Sequence, residues 1–171
     1  MKISSKIEQL LNEQYHNEMH AGLQYMVMAS YFLTQELNGF ANFFVVQAQE
    51  EYFHAHKHFE YLHVVDGKLT PMAFKPCRAE FESALQVFET SLEYEREVSR
   101  SIAHLAQAAM EEQDYATHTF LQWFIKEQLE EEALFQLMVR KLKLIGKDTA
   151  ALFFMDEELS KRKFVKPDTA D

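Results

Sequence analysis

Apolar residues recur three and four positions apart over four long stretches of the chain, the spacing of helices that each turn one face to a core. The first stretch opens on Ser5-Lys-Ile-Glu8, a capping box, and predicts a helix over about 5–36 that stops near Asn38-Gly39. A second helix, about 40–66, meets Asp66-Gly67 as its stop. Gly67 to Arg78 contains Pro71 and Pro76, keeps no steady period and reads as an extended connection. Ser83-Ala-Leu-Gln86 is a second capping box and opens a third helix, about 83–111. Gln113-Asp114 turns the chain into a fourth, about 116–145, closed by Gly146. A short amphipathic stretch, about 149–161, reads as a fifth helix, and the tail from Lys166 to Asp171 as frayed. Two tight turns give two antiparallel hairpins, and the Gly67–Arg78 connection is long enough to run the length of a bundle. The expected fold is all-α: one domain over 1–171, a four-helix bundle with one long crossover and a short fifth helix.

The core-facing stripes carry the chemical signal. They read Ile7, Leu11, Gln14, Glu18, Ala21, Tyr25, Met28, Phe32 on the first helix and Phe40, Phe44, Gln47, Glu51, His54, His58, Tyr61, Val65 on the second. The third gives Leu85, Phe88, Leu92, Glu95, Ser99, Ile102, Ala106, Ala109, and the fourth Leu121, Phe124, Gln128, Glu131, Phe135, Met138, Leu142, Ile145. Each stripe is apolar at both ends with a carboxylate between. One such residue is ordinarily explained by a Lys or Arg partner or a register slip. Here the interruption occurs on all four helices and no stripe carries Lys or Arg. Burying four uncompensated carboxylates costs several kcal/mol each, a penalty that a multivalent cation removes. Glu95 and Glu131 are equidistant from the turn at Gln113, whereas a first turn centred on residue 38 leaves Glu18 and Glu51/His54 about two helical turns out of level. Glu51-Tyr-Phe-His54 sets a carboxylate and an imidazole one turn apart on one face; with Glu18 and Glu95 it makes the carboxylate-rich set that holds two irons in a helical bundle. Zinc would bind such ligands too, so the ligands alone do not select iron.

Composition narrows the partners. Asp and Glu outnumber Lys and Arg by 27 to 17, a formal charge of −10, which disfavours nucleic acid and anionic membranes and suits cations. The single cysteine, Cys77, excludes an internal disulfide and a Cys-rich metal site. No signal-like h-region and no 18-residue apolar run occurs, so a soluble, cytoplasmic protein is expected.

The segments Leu11-Asn-Glu-Gln14, Glu18, Tyr25, Ala48-Gln-Glu-Glu-Tyr-Phe-His54, Glu95, Gln113-Asp-Tyr115, Phe120-Leu-Gln-Trp-Phe124 and Glu127-Gln-Leu-Glu-Glu-Glu132 together resemble bacterial non-haem ferritins over nearly the whole chain. The resemblance implies a ferritin-like bundle with one iron between Glu18, Glu51 and His54. A second iron would lie between Glu51, Glu95 and Glu131, and a third site would form from Glu50, Glu127, Glu130 and Glu131. It further implies oxidation of Fe(II) by O2 or H2O2 and storage of Fe(III) as an oxyhydroxide inside a homo-oligomeric cage of 24 copies. A passive iron-sequestering cage with a slow or inactive centre is the alternative. By the same resemblance Tyr25 is an electron donor beside the irons, although core packing explains it equally, and Gln128 orients oxygen or water. Haem is not expected: Tyr52 stands where haem-binding relatives carry Met, and Gln128-Leu-Glu-Glu131 lacks a second E-x-x-H histidine. His58 reads either as a hydrogen-bonded core histidine or as a ligand. Asp114 and His118 fit either an iron-access channel or ordinary turn polarity.

Overall fold

The computed structural model describes residues 3–167, with helices α1 (Ser5–Thr34), α2 (Asn38–Val64), α3 (Ala84–Glu111), α4 (Tyr115–Ile145) and α5 (Thr149–Leu159). The order and number are those predicted, and no strand occurs among the described residues. Most of the tail expected to fray, residues 168–171, lies outside them. α1 packs on α2 and α3, α3 on α4, and α5 lies against α2 and α4.

The helix ends differ in detail from the expectation. The N-cap of α1 is Ser4, whose Oγ accepts from the Ile7 amide at 3.2 Å, while Glu8 reaches instead to the Lys68 amide at 2.8 Å. Ser83 caps α3 as predicted, accepting from the Gln86 amide. α1, α2 and α3 all end in the same paired-bond stop. The amides of Leu37, Gly67 and Asp114 reach back to the carbonyls of Phe32, Leu62 and Ala109, and those of Glu36, Asp66 and Gln113 to Leu33, His63 and Met110. The left-handed residue of each stop is not glycine but Glu36 (φ 58°), Asp66 (φ 61°) or Gln113 (φ 57°). The first turn therefore centres on Glu36, not on Asn38-Gly39, and Glu18 and His54 stand equally far from it. The apparent mismatch of levels disappears. Gly39 lies inside α2, where a Cβ would fall 1.7 Å from the Asp156 carbonyl oxygen; glycine there lets α5 seat on α2, with Asp156 Oδ1 accepting the Phe40 amide at 2.9 Å.

A ladder of polar residues every fourth position along α1 holds the crossover. Asn12 bonds the Lys68 carbonyl and the Thr70 amide, and His16 Nε2 accepts the Met72 amide. His20 Nε2 meets the Lys75 carbonyl, and Gln24 bonds both the amide and the carbonyl of Arg78. With Glu8 on Lys68, these five side chains satisfy backbone groups that an extended strand outside a sheet would leave open.

The stripe residues are buried with few exceptions, and they sort by level. One end of the bundle is an apolar cluster rich in aromatic rings, including Phe32, Phe40, Phe43, Phe44, Phe88 and Phe135. The other is largely aliphatic, including Ile7, Leu11, Leu62, Ile102, Leu105 and Leu121. Between them lies a layer of buried polar side chains from all four long helices.

Candidate metal centre

Glu18 from α1 and Glu51 and His54 from α2 meet in that layer, each about 1% exposed, and one ligand atom from each lies within 4.8 Å of the others. Their positions follow from the turn at Glu36, which brings α2 back along α1 in register. Gln14 Nε2 donates to Glu18 Oε1 at 2.7 Å, and His54 Nδ1 stands 3.7 Å from Glu51 Oε2.

Glu95 on α3 and Glu131 on α4 occupy the same layer but turn to protein donors and do not close on that triad. Glu95 accepts from the Tyr25 hydroxyl and, at 3.1 Å, from Gln128 Nε2; Glu131 accepts from Gln47 Nε2 at 2.9 Å. Tyr25 and Gln128 thus both position Glu95. Tyr25 is fully buried and packs against Phe44 and Phe135, so its packing and its carboxylate contact coexist.

The electrostatics are those of several carboxyl groups crowded together out of water. Among the described residues no Lys or Arg pairs with Glu18, Glu51, Glu95 or Glu131. Burial, then the neighbouring Glu51 charge, pushes the Glu18 carboxyl well above its ordinary range; burial and the Glu95 charge do the same to Glu51. Burial raises Glu95 too, against the bonds from Tyr25 and Gln128, and lifts Glu131 to about 8 with help from Glu95 and Glu50. Glu18 Oε2, Glu51 Oε1 and His54 Nε2 are buried with no hydrogen-bond partner. Leaving such atoms orphaned costs about 1–3 kcal/mol each. All three belong to the triad, and their lone pairs are free for a cation. A mixed oxygen and nitrogen donor set of this kind accepts ferrous iron or zinc.

Beside the buried layer, Glu50, Glu127, Glu130 and Glu131 line one wetter cavity of about 330 Å³ together with Leu134, Arg162 and Pro167. The structure thus brings to one cavity the four glutamates that the resemblance groups as a third site. Arg162 is an addition that the sequence did not disclose. Its Nη2 pairs with Glu50 Oε2 at 2.8 Å, its guanidinium lies 4.4 Å above the Phe43 ring, and Asn42 holds the Leu159 and Arg162 carbonyls. Nothing about Lys161-Arg-Lys163 in the sequence distinguishes that arginine from a solvated tail.

Asp114 serves the fold: it caps α4, its carboxylate accepting from both the amide and the hydroxyl of Thr117. His58 is fully buried, stacked 4.1 Å from the Phe124 ring, and neither ring nitrogen has a partner. Burial pushes its pKa down to about 3, so the ring is neutral at physiological pH.

A family model for the ferritin-like domain matches residues 8–145. A bacterial non-heme ferritin of Staphylococcus aureus is 39% identical over 162 residues, covering 95% of this chain and 98% of its own length, and one of Staphylococcus epidermidis is 38% identical over the same extent. Among solved structures, an engineered closed form of the Archaeoglobus fulgidus ferritin superposes with a TM-score of 0.94 at 43% identity, over 96% of this chain and all of that one. The open-pore ferritin of the same archaeon gives 0.93 at 43% identity, over 94% and 98%. Helix order, a carboxylate–histidine layer across four helices and matches over almost the full length coincide, and the chain belongs to the ferritin family.

Proposed function

We propose that this protein stores and detoxifies iron as a ferroxidase, within one ferritin-like domain spanning 1–171. Two ferrous ions are the substrate, one held by Glu18, Glu51 and His54 and one by Glu51, Glu95 and Glu131, with Glu51 shared. The observation that carries the reading is the set of three buried, partnerless ligand atoms on Glu18, Glu51 and His54, with which no Lys or Arg pairs among the described residues. Each ferrous ion gives up one electron. O2 takes the pair and two protons to become H2O2, or H2O2 takes them to become two waters. The carboxylates stabilise the ferric product, since hard oxygen donors favour the higher charge. Tyr25 and Gln128 hold Glu95 in place, and the phenol, bonded to that carboxylate, would supply an electron through it. Glu50, Glu127, Glu130 and Glu131 take a third iron in the wetter cavity. Twenty-four copies enclose the ferric oxyhydroxide, in the cytoplasm and without haem. No described helix is long and apolar enough to cross a membrane.

An anaerobic ferrous titration of metal-free protein, then stopped-flow mixing with O2, tests the reading. A break at two or three irons per subunit and rapid paired oxidation are expected, with a soluble ferric core at higher loading. No break and only slow oxidation would leave a passive cage. Glu51→Ala removes the shared ligand and is expected to abolish the fast phase while assembly persists; a fast phase in that variant would overturn the bridging role.

A further inference from the structure

The dinuclear reading accounts for three of the seven orphaned buried side-chain atoms among the described residues. The others are Gln14 Oε1, Gln47 Oε1 and both ring nitrogens of His58. His58 lies one turn beyond His54 on α2, is 0% exposed, and directs Nε2 towards Glu18 Oε1 at 3.9 Å. That separation is too long for a hydrogen bond. It also falls short of the ~4.6 Å expected for two atoms joined through one tetrahedral water with bonds of about 2.8 Å. Two ligand atoms each about 2.1 Å from one ion stand from ~3.4 Å apart at a tetrahedral angle to ~4.2 Å in line, and the observed distance is inside that window. Gln14, one turn before Glu18 on α1 and fully buried, already holds Glu18 Oε1 through its amide nitrogen and leaves its own oxygen unused.

We propose that His58 Nε2 and Glu18 Oε1 form an additional position for a ferrous-type divalent cation, at the α1–α2 edge of the centre, with Gln14 Nε2 holding the Glu18 carboxylate in place. The inference rests on the dinuclear reading, because Glu18 is common to both positions. An imidazole with a single carboxylate oxygen suits Fe(II) better than Fe(III), whereas the carboxylate-rich centre suits the oxidised ion. Phe120 and Phe124 pack on the His58 ring and fix its plane.

The test is an anaerobic titration of the metal-free full-length protein with Co(II), which O2 does not readily oxidise in such sites, followed by its visible absorption. Wild-type protein is expected to bind one more Co(II) per subunit than His58→Leu, a buried apolar replacement of similar bulk. Equal stoichiometry and affinity in the two would overturn the role of His58 while leaving the centre intact. Absence of Co(II) binding in the wild type would overturn both readings. Should His58→Leu fail to fold, anomalous diffraction from Zn(II)-soaked wild-type crystals decides the matter. A zinc peak bonded to His58 Nε2 supports the proposal; zinc confined to Glu18, Glu51, His54, Glu95 and Glu131, with water against His58, overturns it.

Discussion

A carboxyl group buried among other carboxylates keeps its proton until a cation displaces it, and Glu131 is the clearest case. Its pKa in the folded, metal-free protein is raised to about 8 from an ordinary 4.5. Because the folded value is the higher one, the protonated side chain favours the folded state. That contribution is complete below the unfolded value and is lost as pH rises through the folded one. Denaturant unfolding of metal-free protein is expected to show stability falling from pH 5 to pH 8.5, with Glu131→Gln flattening the slope; a wild-type slope of opposite sign would contradict the assignment. In the wetter cavity the counter-ion is built in. Arg162 occupies Glu50 at 2.8 Å, so an incoming cation has to displace a charge-assisted hydrogen bond. Arg162→Gln is expected to tighten terbium(III) binding about tenfold by luminescence titration, the effect of removing a competitor worth ~1.5 kcal/mol. Unchanged affinity would show that the arginine does not compete. The burial of Glu18, Glu51, His54, Glu95 and Glu131 in one layer was legible in the sequence because each falls on the core-facing stripe of its helix and no stripe carries Lys or Arg. Arg162 was not, since it reaches Glu50 across 112 residues and only the folded path of the C-terminal segment brings the two together.

At the level of elements, periodicity located five helices, but turn chemistry misled at the first connection. Asn38-Gly39 is the stronger turn signal by residue type, yet α1 stops on Glu36 because the Leu37 and Glu36 amides close onto Phe32 and Leu33, and Gly39 is needed for the close approach of α5. The crossover was legible as extended, but what holds it was not. Asn12, His16, His20 and Gln24 read as scattered polar residues, because their common partner is backbone and backbone has no sequence signature. The ladder makes a direct prediction. Gln24 bonds both backbone groups of Arg78, so Gln24→Ala frees the last rung. Amide exchange at Arg78 and tryptic cleavage after Arg78 are expected to accelerate severalfold, with bundle helicity unchanged. Unaltered cleavage would mean that the remaining rungs suffice to hold the strand.

For the whole molecule, the isolated chain is incomplete in one respect that its core does not explain. α5 buries only Met155, Asp156 and Leu159, and leaves Phe153 and Phe154 63% and 78% exposed, close in sequence to Leu144 at the end of α4, which is 88% exposed. Adjacent exposed aromatic rings on a short terminal helix mark a surface that another copy covers. Burying each ring fully is worth roughly 1.5–3 kcal/mol, and closed symmetry multiplies that gain around every contact. Sedimentation of wild-type protein is expected to give about 480 kDa, twenty-four chains of 20.1 kDa each. The double variant Phe153→Ser, Phe154→Ser is expected to sediment as smaller species. Because Glu18, Glu51, His54, Glu95 and Glu131 all come from one chain, those species should still bind divalent cations and oxidise the first ferrous ions. They should not keep a ferric mineral in solution, since retention needs an enclosed volume and oxidation does not. A variant that stays at full mass would remove α5 from the interface; one that dissociates and loses initial oxidation as well would show that the centre depends on assembly.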